Sequence, residues 1–135
     1  SILASIVDSE ALIDREMPII AGLYLNRLNQ GIKLEADPTV IFANNDFTIR
    51  RVLNKHLRKE SPYNTYMHTG LPPGPISMPS IAAIDAVLNA KTHNYIFMCA
   101  KEDFSGTHNF ARNLGEHLAN AKRFQQALND RNIKK

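Results

Sequence analysis

Apolar residues recur along this chain with two different periods, and the switches between them mark its elements. In SILASIVDSEAL, Ser1 to Leu12, a helical advance of about 100° per residue gathers Leu3, Ile6, Val7 and, just beyond, Ile13 on one stripe. Glu10 falls inside that stripe, between Ile6 and Val7 in angular position, while Asp8 points the opposite way. A second helix is predicted from about Pro18 to Gln30, with proline tolerated in its first turn, Ile19, Ile20, Leu23 and Leu28 as apolar positions, and Gly31 as its stop. From Ile32 to Ala43 the pattern alternates and then becomes continuously apolar around an Asp-Pro pair, which reads as a short hairpin or two extended segments. Thr48 is placed to cap a helix with Ile49, Val52, Leu53 and Leu57 inward and Arg50, Arg51, Lys55, Arg58 and Lys59 on its solvated side.

Residues 61–79, SPYNTYMHTGLPPGPISMP, hold five of the seven prolines and two of the six glycines, so they predict neither helix interior nor central strand. A loop of that length inside a compact domain is usually functional. Ser80 then caps a helix carrying Ile81, Ile84, Val87 and Leu88. Tyr95 to Ala100, apolar on both faces, predicts a buried strand, and His108 to Ala111 one that pairs back against it. A last helix is expected from Leu114 to Leu128 with Leu118, Ala121 and Phe124 inward, followed by a polar tail, 129–135, that frays. The sum is an α+β fold, about five helices with a small antiparallel β-sheet, the Glu10 helix facing the loop of 61–79.

Composition narrows the function classes. At 135 residues and 44% hydrophobic content the chain suffices for one domain and not for two. Sixteen basic against thirteen acidic side chains leave only +3, which argues against a nucleic-acid arm. The single cysteine, Cys99, excludes an internal disulfide, and the five histidines follow no zinc spacing, so no metal is expected. No apolar run is long enough to span a bilayer. The chain opens on helix at Ser1 without an initiator methionine, which reads as a piece of a longer protein.

The chemistry starts with Glu10. A carboxyl centred on an apolar stripe is costly to bury ionised, so its pKa rises toward the range useful to a general acid. The alternative is a core carboxylate satisfied by a hydrogen bond or by an arginine such as Arg27. Asp14, one turn on, is either a second carboxylate or a cap. Tyr63, Asn64, Thr65 and Tyr66 combine rings with hydrogen-bonding groups in a manner suited to a sugar, or else pin their own loop to the body. The rigid GLPPGPI run, Gly70 to Ile76, forms either a cleft wall or a structural bend, and His108 either lines a cleft or is structural.

Six segments in register sharpen these alternatives. ASIVDSE (Ala4–Glu10), NRL (Asn26–Leu28), DPTVIF (Asp37–Phe42), YNTY (Tyr63–Tyr66), GLPPGPI (Gly70–Ile76) and HNF (His108–Phe110) resemble the catalytic region of the MltG (YceG-like) endolytic murein transglycosylases. The family's catalytic glutamate corresponds to Glu10; the preceding acidic position of its motif is Asp8 here in place of Glu. The resemblance implies a catalytic domain over 1–128 with an active-site helix of the lysozyme type, cutting the MurNAc–GlcNAc β-1,4 bond of peptidoglycan glycan strands without water and without a cofactor. It further implies that Tyr63, Asn64, Thr65 and Tyr66 border the glycan cleft, that Gly70, Leu71, Pro72 and Pro73 shape its wall, and that Asp37, Thr39 and His108 contact sugar or orient the Glu10 helix. Members look like inner-membrane proteins facing the periplasm, with an N-terminal anchor and a LysM-like module outside this sequence, working beside peptidoglycan synthases and on no nucleic acid.

Overall fold

A computed structural model describes residues 1–133 as six α-helices and a two-stranded antiparallel sheet. Helix α1, Ile2–Glu10, and helix α2, Met17–Gln30, are joined by a 3-10 turn at Asp14–Glu16. Ile6, Val7, Ile20 and Leu23 from these two helices are fully buried together with Leu34 and Ala36. Each aliphatic side chain removed from water in this way contributes about 1.5–3 kcal/mol. Gly31 ends α2 in the left-handed region at φ +69°, donating its N–H to the last carbonyls, as its place after Gln30 predicts. Helix α3 is Asp37–Ala43, α4 is the single turn Asn54–Leu57, and α5 is Ile81–Leu88. Strands β1, Phe97–Ala100, and β2, His108–Ala111, pair with Phe97 opposite Ala111 and Ala100 opposite His108. Helix α6, Leu114–Ile133, packs against that sheet.

The loop of 61–79 contains no helix or strand, as its prolines require. It is tied down at both ends. Thr65 accepts from the Ala36 backbone at 2.9 Å and meets the Thr39 hydroxyl at 2.8 Å, while the Ile76 N–H donates to Ser5 Oγ of α1. Ser80 caps α5 by accepting from Ala83, and Asp8, pointing away from the core, accepts from the Ser80 N–H and hydroxyl. Gly22 of α2 is the point of closest approach to the chain after α5. A Cβ there would lie 2.2 Å from the Lys91 carbonyl oxygen.

Four expectations are corrected. Residues 37–43 form a helix and not an extended segment, because Pro38 occupies its first turn, where a missing N–H costs nothing. The helix capped by Thr48 does not form: Thr48 turns back on Asp46, and only Asn54–Leu57 is helical. The strand at Phe97–Ala100 is half-buried, with Ala100 exposed, since all four of its residues line an open cavity. Helix α6 runs on through the expected fraying tail to Ile133, supported by Gln125 to Asn129 and Gln126 to Asp130 side-chain hydrogen bonds, and Leu118 faces outward. The remainder of that tail, 134–135, lies outside the described residues.

Candidate active site

The end of α1, the middle of α2, the first turn of α3, strand β1 and the start of α6 surround a cavity of about 490 Å³. Glu10, the last residue of α1, sits in its wall beside Tyr24 and Arg27 of α2, Asp37 of α3, Tyr66 of the long loop and His108 of β2. Burial pushes the Glu10 carboxyl up to about 7, the negative charge of Asp37 adds to the rise, and a hydrogen bond from Tyr24 opposes it. Tyr24 is itself held well above the ordinary range of a phenol, first by burial and then by the neighbouring Glu10. It therefore remains a neutral hydrogen-bond donor. Tyr66 is raised by burial and by Asp37, whose Oδ1 accepts its hydroxyl at 2.6 Å.

Arg27 reaches the cavity without neutralising Glu10. Its guanidinium donates to the Ile96 carbonyl at 2.6 Å and the Lys33 carbonyl at 2.6 Å, lies 3.7 Å from Glu35, and sits 5.1 Å from the centre of the Phe97 ring. Thus Glu10 is not paired with Arg27; of the two partners the sequence allowed it, it has the hydrogen bond, from Tyr24. The His117 ring stacks on Phe97, is kept toward its neutral form by burial and Arg27, and has a buried Nδ1 without a partner among the described residues. Cys99 also lines the cavity, and burial holds its thiol in the protonated form, unsuited to nucleophilic attack.

Of the residues singled out in the sequence, Glu10, Asp37, Tyr66 and His108 meet in this one cavity. The others stand behind it. Asn64 is fully buried, donates to the Leu57 and Lys59 carbonyls and accepts from the Tyr66 N–H, so its amide holds the tyrosine in place. Thr65 and Thr39 clamp the loop to the chain before α3. Tyr63 packs its ring 4.7 Å from Phe42. Gly70 takes φ +83°, Pro72 is buried, and Leu71 and Pro73 face solvent away from the cavity lining. Asp14 is exposed and also outside the lining. Sequence reasoning missed Tyr24, Glu35 and His117. Tyr24 was accessible, as a polar ring one residue after Leu23 on an inward-facing turn; His117 sits in a polar run with no distinguishing pattern.

The model of the YceG-like family matches residues 1–123. This chain belongs to that family. A Bacillus subtilis protein named endolytic murein transglycosylase is 34% identical over 129 residues, covering 96% of this chain and 35% of the relative. A protein of the same name from Streptococcus pneumoniae is 29% identical over 123 residues, covering 87% of this chain and 22% of its own length. The crystal structure of a yceG-like protein from Listeria monocytogenes superposes with a TM-score of 0.80 at 35% identity, covering 87% of this chain and 38% of that one. The chain therefore spans about a third or less of the length of the curated relatives it matches. The α+β architecture expected from the sequence is that of the Listeria neighbour.

Proposed function

We propose that this chain is the catalytic domain of an endolytic murein transglycosylase, cutting within peptidoglycan glycan strands. The observation that carries the reading is Glu10, a carboxyl whose pKa of about 7 leaves it a large protonated fraction at neutral pH, in the wall of a cavity rimmed by hydroxyl and imidazole groups. The names of the family relatives point the same way.

In this reading neutral Glu10 gives its proton to the glycosidic oxygen as the bond from that oxygen to the MurNAc C1 breaks. The resulting carboxylate takes the proton of the MurNAc 6-hydroxyl, whose oxygen bonds to C1 and closes a 1,6-anhydro ring. Glu10 ends protonated again, so one carboxyl group serves both steps, no water is consumed and no cofactor is needed. Tyr24 is poised to stabilise the carboxylate between the two steps. The full protein is placed at the bacterial inner membrane by an anchor outside this sequence, with the domain on the periplasmic face beside peptidoglycan synthases.

Asp37 favours one competing reading, because its carboxylate lines the same cavity and could activate water for hydrolysis of the same bond. Mass analysis of uncrosslinked glycan strands digested by the native protein and by Glu10→Gln separates the two. Transglycosylation leaves ends lighter by one water than hydrolysis does, and in both cases Glu10→Gln leaves the strands intact. Full-weight hydrolysed ends would replace the proposal with a muramidase, and intact strands with native protein would leave only a binding module.

A further inference from the structure

The Glu10 mechanism leaves unused a buried carboxylate that stands behind the cavity and touches one of its lining residues, His108. Glu16, at the end of the 3-10 turn, is 5% exposed. Its Oε2 accepts the His108 backbone N–H at 2.9 Å and its Oε1 lies 2.8 Å from His108 Nδ1. One carboxylate thus grips both the backbone and the ring of a residue 92 positions away. A side chain held at two points in this way cannot rotate about its χ angles without giving up a buried hydrogen bond. His108 opens β2 opposite Ala100, and both line the cavity.

We propose that Glu16 and His108 form a positioning dyad, in which Glu16 fixes the imidazole so that Nε2 alone is presented to a hydroxyl of the bound glycan. Because both oxygens of a carboxylate are acceptors, Nδ1 carries the proton, and Nε2 is the nitrogen left over. A sugar hydroxyl both donates and accepts, so Nε2 bonds to it whether the ring is neutral or charged. His108 is then the substrate contact and Glu16 the positioning residue that acts through it. The arrangement differs from that of His93, whose Nε2 faces the Ile19 carbonyl at 2.8 Å and whose Nδ1 accepts from the Tyr95 N–H, leaving neither nitrogen for a ligand.

The inference rests on the glycan reading of the cavity, and its test has two independent arms. Long-range proton–nitrogen spectra of the native protein should place the His108 proton on Nδ1, and in Glu10→Gln the His108 Nε2 resonance should shift on addition of uncrosslinked glycan strands. An Nε2-protonated neutral ring, or an Nε2 resonance indifferent to strands that bind, overturns the dyad whether or not the native protein cleaves them. In steady-state cleavage, His108→Ala should lower kcat/KM about tenfold or more, mainly through KM. Glu16→Gln should lower it in the native background and add nothing in the His108→Ala background. Equal losses in both backgrounds would make Glu16 merely structural. A native protein that leaves glycan uncut sinks the transglycosylase reading, while the spectra still decide the dyad.

Discussion

Helix α2 carries two polar environments, at Tyr24 and at Asn26, two residues apart and so on nearly opposite faces, and they are built on opposite terms. At Asn26 both amide hydrogens are spent, on the His93 carbonyl at 2.8 Å and the Tyr95 carbonyl at 2.9 Å. His93 completes this cluster with both ring nitrogens engaged, and Arg27 beside it satisfies two further carbonyls. At Tyr24 the helix faces Glu10, a carboxyl buried enough to sit near neutrality, and Asp37 makes its ionisation harder still. The first cluster joins α2 to the chain entering β1, and the Asn26 amide hydrogens and His93 ring nitrogens in it have no capacity left for a ligand. The second retains unfilled capacity and a group held at an unfavourable protonation balance, which marks the side of the helix that meets substrate.

Glu10→Gln breaks the comparison most severely. Loss of the general acid should lower cleavage by on the order of a thousandfold. The same change should stabilise the fold at pH 8, because a carboxyl raised from 4.5 to about 7 opposes folding once it must ionise. The folded protein binds more protons than the unfolded chain between these values, so stability falls as pH rises through that window and is level below about 4.5. A shift of this size corresponds to about 3 kcal/mol at pH 8, present in Glu10→Gln and absent at pH 4. Thermal unfolding of both proteins across pH checks it, and a Gln variant less stable at pH 8 would mean that Glu10 belongs with the structural cluster.

The two changes next in size strike the structural side. Gly22→Ala puts a methyl against the Lys91 carbonyl and forces α2 from the segment that holds His93, for a loss of about 3 kcal/mol. Asn26→Ala strands two carbonyls and should cost about 2 kcal/mol. In both, denaturant midpoints should fall while the alkaline limb of activity of the folded fraction stays in place. A displaced limb would show that the two environments are coupled.

The active-site half of this comparison was legible in part, because Glu10 breaks a local apolar period and a break within one helix is visible in the sequence. The fold was legible where a stop or cap is local, at Gly31 and Ser80. It was misread at 37–43, where the continuously apolar run after an Asp-Pro pair read as extended although Asp37 and Pro38 are good first-turn residues. For Asn64 and Thr65 the chemistry left sugar contact and pinning of their own loop both open, because it does not separate a hydroxyl that meets sugar from one that meets Ala36; only the resemblance placed them at the cleft. The Glu16–His108 pair carries no local signal, since its members are joined only by the return of β2 to the 3-10 turn.

Asp37→Asn is the smallest and most discriminating change. The asparagine keeps an oxygen to accept the Tyr66 hydroxyl, so the loop stays anchored and the thermal midpoint should move little. What leaves is a negative charge that raises the Glu10 pKa. Glu10 then ionises more easily, the protonated acid is lost at lower pH, and the alkaline limb of kcat/KM should move down from about 7 with the plateau retained. If Asp37 instead activates water, the plateau itself collapses, because no shift of pH restores a missing base. One pH profile therefore decides whether Asp37 tunes the single acid or acts as its chemical partner.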